Sequence, residues 1–230
     1  MEARLIEQQA DDFASLVNRL KSQSAEERRN AAAEIGYLED ARAVEPLIGV
    51  LKDADANVRA AAIDALGPLG DRRAVEPIIL LLKDDVAFVR SAAARVLGQL
   101  GDEKAVEPLM AALKDTNSSV RGSAALGLGG IRATRALNDL IAVTKDDAPD
   151  VRAAAATALG NLRDKGGVDS LVRLLKDENR IVKTATALAL SDIGDKRALD
   201  ALKEALASEK DEETRTTFKE AVQRLSAVPD

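Results

Sequence analysis

The sequence contains no cysteine, no histidine and no tryptophan. Without thiols or imidazoles there are no disulfides, no cysteine nucleophile, no histidine base and none of the usual zinc ligands. Aromatic residues make up only 2% of the chain. Sheet cores are rich in aromatic and β-branched residues, so this scarcity, beside 46% apolar residues dominated by Ala, Leu, Val and Ile, favours closely packed helices. There is no apolar run of about eighteen residues to cross a bilayer. The opening MEARLIEQQADD carries acids and lacks the apolar centre of a signal peptide. The chain therefore reads as soluble and cytoplasmic, with no membrane partner. A net charge of −6 with both signs interspersed speaks against nucleic acid as a main partner, and such an exterior favours a monomer.

What the chain has in abundance is repetition. Residues 43–47 read AVEPL, 74–78 AVEPI and 105–109 AVEPL. The segments VRAAAIDALG (58–67), VRSAAARVLG (89–98), VRGSAALGLG (120–129) and VRAAAATALG (151–160) recur on the same period of about 31 residues. A fixed period is the signature of stacked units that bury their apolar faces only against neighbours. The spacing predicts seven helix pairs in a single repeat domain over 1–230, with units near 11–39, 40–70, 71–101, 102–132, 133–163, 164–194 and 195–226. Residues 1–10 read as a lead-in and 227–230 as a frayed tail.

Local chemistry marks the boundaries. Phe13, Leu16, Val17 and Leu20 fall at helical spacing, in register with Val44, Leu47, Ile48 and Leu51. The first helices of the next five units are expected over Arg42–Lys52, Arg73–Lys83, Lys104–Lys114, Arg135–Lys145 and Gly166–Lys176. Second helices are expected from Ala25 and from near Asn57, Ala87, Ser119, Asp150 and Ile181. Pro46, Pro77 and Pro108 sit in first turns, where a missing N–H costs little. Gly70 and Gly101 follow second helices, where glycine takes the left-handed conformation, and Asp71, Asp102 and Asp195 stand where an aspartate caps the next helix.

A six-residue spacing recurs five times: Asp53 with Arg59, Asp84 with Arg90, Asp115 with Arg121, Asp146 with Arg152 and Asp177 with Lys183. A row of carboxylates could hold metal or do acid–base work. The plainer reading is a structural ladder in which each turn carboxylate meets a cation on the following helix and on its stacked neighbour, because an active site is not repeated five times.

The AVEPL helix, the Gly-Asp turn, the Lys-Asp turn and VR-x-x-A-A-x-A-L-G together resemble the short HEAT repeat of the phycobilisome-lyase type, across nearly the whole chain. The resemblance implies an all-α fold, an α-solenoid of helix pairs in a right-handed superhelix. First helices would form a convex outer layer and second helices a concave inner one. Iron-binding hydroxylases built on similar repeats use His-Glu pairs, which this chain lacks.

Within a second helix, Val58, Ala62, Ala65 and Leu66 recur at core spacing. The positions left over would line the groove. They comprise Asn30 and Tyr37 with Arg29, Asp64 beside Pro68, and Ser91, Arg95 and Gln99. The series continues with Ser123 and Leu126, Thr157 and Asn161 beside Ala153 and Ala154, and Thr184 and Leu188. A wall of small residues with Leu126 and Leu188 as apolar knobs lets a partner helix or extended segment approach closely. Small residues that only permit tight curvature are the other reading. Phe13 and Phe88 are assigned to the core. Glycines crowd the fourth unit (Gly122, Gly127, Gly129, Gly130), as a hinge or as tolerated drift.

The expected function is a non-catalytic interaction scaffold, an adaptor, assembly factor or chaperone-like protein that binds another protein in the groove; a purely structural spacer with no partner is a further reading. The alternative, which rests on the resemblance, is a lyase-like factor handling a bilin on phycobiliproteins. No residue earns a catalytic, metal or cofactor role.

Overall fold

The computed structural model describes residues 13–38 and 40–228. The lead-in expected over 1–10 and the last two residues of the expected tail lie outside them. Among the described residues there are fourteen α-helices and no strand. They gather into two compact units, one ending at Ala105 and one beginning at Val106.

In the first unit the pairs are α1 (residues 13–19) with α2 (Ala25–Tyr37), α3 (Val44–Val50) with α4 (Ala56–Leu69), and α5 (Val75–Leu80) with α6 (Ala87–Leu100). In the second they are α7 (Val106–Ala112) with α8 (Ser118–Ile131), α9 (Leu137–Val143) with α10 (Pro149–Leu162), α11 (Val168–Leu174) with α12 (Arg180–Ile193), and α13 (Leu199–Ser208) with α14 (Glu212–Ser226). Repeating helix pairs of this kind make the chain an α-solenoid.

First helices are shorter than the periodicity suggests. Each α-helical part from α3 onward is preceded by a single 3₁₀ turn, such as Ala41–Ala43 or Arg72–Ala74, where the i−4 hydrogen-bond ladder has not yet begun. Asp40, Asp71, Asp164 and Asp195 cap these turns by accepting from the backbone N–H two residues on. Second helices are capped by Ser24, Asp55, Asn117, Asn179 and Asp211, whose side chains accept from backbone N–H groups two or three residues on. They end in the left-handed conformation at Gly70, Gly101 and Gly194. Two further second helices, α8 and α10, lack this glycine and use the same stop with Arg132 (φ 57°) and Arg163 (φ 55°). The start of the expected tail is not frayed: the Ala227 N–H still bonds to Gln223 and Arg224.

The core follows the period. Val44 and Leu47 from α3 and Val58, Ala62, Ile63 and Leu66 from α4 are fully buried, and Ala65 nearly so. Ala31, Ala32 and Ile35 repeat this in α2, and Val182, Ala187 and Leu190 in α12. Phe88 departs from expectation. It is 48% exposed, because it precedes the core residue Val89 and so points off the buried face of α6. Phe13 is half-buried, with the Arg42 guanidinium 4.6 Å from its ring centroid.

Within the units, α2 and α4, α8 and α10, and α10 and α12 touch backbone to backbone. A Cβ on Gly160 would lie 2.8 Å from Ala189 Cα, so only glycine lets α10 and α12 approach this closely. Gly129 of the glycine-rich unit is the same position, pressed against Ala158 of α10.

Candidate functional site

The outward face of the second helices carries most of the residues singled out in the sequence. In the second unit α10, α12 and the start of α14 enclose a depression of about 380 Å³. Thr157, Asn161, Thr184 and Leu188 all line it, with Ile181 and Asp192 beside them. Leu188 and Ile181 are 43% and 54% exposed, and Leu126 on α8 is 47% exposed. Thr157 donates its hydroxyl to the Ala153 carbonyl one turn back (3.0 Å), whereas the Asn161 amide and the Thr184 hydroxyl make no hydrogen bond among the described residues. Ion pairs flank this surface: Arg180 with Glu213, and Asp192 with Arg224 at 3.0 Å. Ser123 is half-buried. Ala153 and Ala154, expected on the surface, are buried, in a helix α10 that packs closely against α8 at Gly129 and against α12 at Gly160.

In the first unit α2 and α4 flank a second depression of about 310 Å³, lined by Tyr37 and Asp64 with Arg29, Gly36 and Pro68. Tyr37 is 87% exposed. The Asp64 carboxylate is bridged by Arg95, and Arg95 also reaches Gln99 at 3.5 Å. Partial burial pushes the Asp64 carboxyl above its ordinary range, against the pull of Arg95. Asn30 accepts from the guanidinium of Arg29 at 2.8 Å, and Ser91 is half-buried.

Along the turns the acid–base ladder has a register that the sequence did not single out. The Asp84 carboxylate accepts two hydrogen bonds from Arg59 of the preceding repeat, Nε and Nη2 each at 2.8 Å. Arg28 does the same for Asp53, Arg121 for Asp146 and Arg152 for Asp177, and Lys183 pairs with Glu209. The cation six residues on does meet its own turn, but through the backbone: Arg59 Nη1 donates to the Asp53 carbonyl (2.8 Å) and Arg90 Nη1 to the Asp84 carbonyl (2.8 Å). Each carboxylate also accepts the backbone N–H two residues on, as Asp115 does from Asn117 at 2.8 Å. Arg28 and Glu209, the outer members, were missed. Arg28 lies one period before Arg59, and Glu209 one period plus the inserted residue after Asp177.

These contacts set the charges. The Arg121 guanidinium holds the Asp146 carboxyl down to about 2, and the Arg28 bond lowers Asp53 in the same way. Burial opposes ionisation of Asp84 and Asp177, but their arginine and backbone bonds outweigh it, leaving both below the ordinary carboxylate value. Carboxylates committed to guanidinium and backbone donors are poor bases and poor metal ligands. Among the described residues no group of three or more acidic side chains could hold a metal ion.

A second, exposed row joins the first helices: Arg73 to Glu45 at 3.0 Å, Lys104 to Glu76 at 2.6 Å and Arg135 to Glu107 at 3.7 Å. It explains the glutamate of AVEPL as a link between neighbouring repeats. No helix among the described residues is long and apolar enough to cross a membrane.

The model of the family described as HEAT repeats matches residues 13–94, 76–149 and 137–223. Among solved structures, the chain is similar to the complex of CpcE and CpcF of phycocyanin lyase from Nostoc sp. PCC7120. Identity is 25%, 91% of this chain and 93% of that chain are covered, and the TM-score is 0.63. An engineered protein (24% identity, 95% of this chain, 69% of that one, TM-score 0.61) and YibA of Escherichia coli (21%, 94%, 92%, 0.61) share the fold. No curated protein matches the chain.

Proposed function

The chain belongs to the HEAT-repeat family, and from that premise we propose that it is a non-catalytic scaffold, an adaptor or assembly factor that binds a segment of another protein on the outward faces of its second helices. One observation carries this reading. Leu126, Ile181 and Leu188 stand exposed on those faces, beside an Asn161 amide and a Thr184 hydroxyl that make no hydrogen bond among the described residues. Apolar anchors next to uncommitted polar groups are what a peptide or helix of a partner needs: burial for affinity, hydrogen bonds for register.

Affinity capture from the source cells, wild type beside a Leu126→Arg/Leu188→Arg variant, tests it. A protein retained by the wild type and lost from the variant supports the scaffold. Identical lists refute binding at this face.

The likeness to the phycocyanin lyase complex favours a second reading, a lyase-like role in handling a bilin on a phycobiliprotein. The absence of His and Cys leaves no residue to hold or transfer the pigment covalently. A phycocyanobilin titration with no change in the pigment spectrum would remove it.

A further inference from the structure

The depression between α2 and α4 is chemically lopsided. Its floor is small and apolar, Ala33, Gly36, Ala61 and Ala65. It is shallow because a Cβ on Gly36 would lie 2.9 Å from Ala65 Cα, so the two helices touch there. Arg29, Ala33 and Tyr37 follow one another at four-residue steps, on one stripe of α2. Tyr37 closes one end opposite Pro68, and Arg29 stands at the other.

The two charges that line this depression differ in kind. Asp64 spends its carboxylate on Arg95. Arg29 donates only to the neutral amide oxygen of Asn30, and among the described residues no carboxylate bridges it. The surface therefore offers one uncompensated guanidinium and, eight residues along the helix, an exposed aromatic ring facing a proline. At about 1.5 Å per residue these ends are about 12 Å apart. An extended chain covers that distance in about four residues.

We infer that this depression binds an extended segment carrying an Asp or Glu about four residues from a proline or other apolar side chain. The acid would meet Arg29 in a charge-assisted bond, and the apolar group would lie between Tyr37 and Pro68. The inference rests on the scaffold reading and adds the chemistry of the segment that one end of the scaffold selects.

The test is selection of a displayed random heptapeptide library on the immobilised wild-type protein. Recovered peptides are then measured against Arg29→Glu, Tyr37→Ala and Leu188→Arg. Both first-unit side chains are exposed and neither substitution removes a core contact; melting curves confirm the fold. Tyr37 is the chain's one tyrosine and there is no tryptophan, so tyrosine emission reports occupancy of this depression directly.

The expected result is a class of acidic peptides that changes Tyr37 emission and binds about tenfold or more weakly to Arg29→Glu and to Tyr37→Ala. Replacing the acid with Lys should restore binding to Arg29→Glu. Tyr37-dependent peptides that are neutral or basic and indifferent to Arg29→Glu would overturn the inference. Peptides that depend on Leu188 but never on Tyr37 would also overturn it and leave the scaffold intact. No recovered peptide at all would count against both.

Discussion

The Arg152 guanidinium holds the Asp177 carboxylate through two bonds, Nε to Oδ2 at 2.7 Å and Nη2 to Oδ1 at 2.9 Å, while its Nη1 donates to the Asp146 carbonyl at 2.8 Å. One side chain thus ties its own turn to the next repeat's turn. Only 19% of the arginine side chain and 9% of the aspartate are exposed. Removing the arginine leaves a shielded carboxylate and a carbonyl without their donors, a loss of about 3 kcal/mol. Arg152→Ala should lower stability by about that much in chemical denaturation. Arg173→Ala, at an exposed position on α11, should change it by under about 0.5 kcal/mol.

The ladder also predicts the acid limit of the fold. Its carboxyls titrate lower in the folded chain than in the unfolded one, Asp146 at about 2 against about 3.9 unfolded. The unfolded state therefore binds protons first as pH falls. The stabilisation is complete above about pH 4 and is lost progressively toward pH 2. Melting temperatures from pH 6 to 2 should stay level and then drop below about 4, with Arg121→Met flattening the drop. A wild-type fall centred near pH 6 would contradict the assignment.

Two glycines that look alike in sequence should respond in opposite ways to alanine. Gly49 lies inside α3 with nothing within 4 Å of a new Cβ, so Gly49→Ala should stabilise by about 0.5–1 kcal/mol through helix propensity alone. Gly160→Ala places a Cβ 2.8 Å from Ala189 Cα, which is backbone and cannot rotate away. It should destabilise by about 1–3 kcal/mol. Thermal melts of the two single variants check both signs.

Arg132 and Arg163 occupy the left-handed stop that glycine takes at Gly70, Gly101 and Gly194. An L side chain costs about 1 kcal/mol in that conformation. Arg132→Gly and Arg163→Gly should each raise stability by several tenths to about 1 kcal/mol, offset in part by a freer unfolded chain. If neither raises the melting temperature, the left-handed stop is not strained at these positions.

Much of the fold was legible in the sequence because each unit repeats its own punctuation. Gly70, Gly101, Asp71 and Asp195 mark their turns by chemistry alone, and Val58, Ala62 and Leu66 declare the buried face by spacing. The ladder's register was hidden for the same reason. Four successive repeats carry the same Asp and the same Arg, from Asp53 and Arg59 to Asp146 and Arg152, so a bond to the next helix and a bond to the preceding repeat leave identical traces in sequence. Phe88 misled by residue type. Its period-mates Asn57, Ser119 and Asp150 are polar, and the position outranks the ring. Ile181, at that same position, escaped notice as an exposed apolar group although the period placed it there. The residues proposed to face a partner were nameable as leftovers from the core pattern, but the gathering of Tyr37 with Asp64, and of Thr157, Asn161, Thr184 and Leu188, into two depressions depends on which helices lie side by side.

The most direct measurement is photo-crosslinking in the source cells, with a photoreactive residue in place of Thr184 on α12 or, as a control in the same helix pair, of Arg173 on α11. The account predicts a discrete protein adduct from position 184 that disappears in the Leu126→Arg/Leu188→Arg background, and none from 173. An adduct from 173 alone, or none from either position, would contradict binding on the second-helix face.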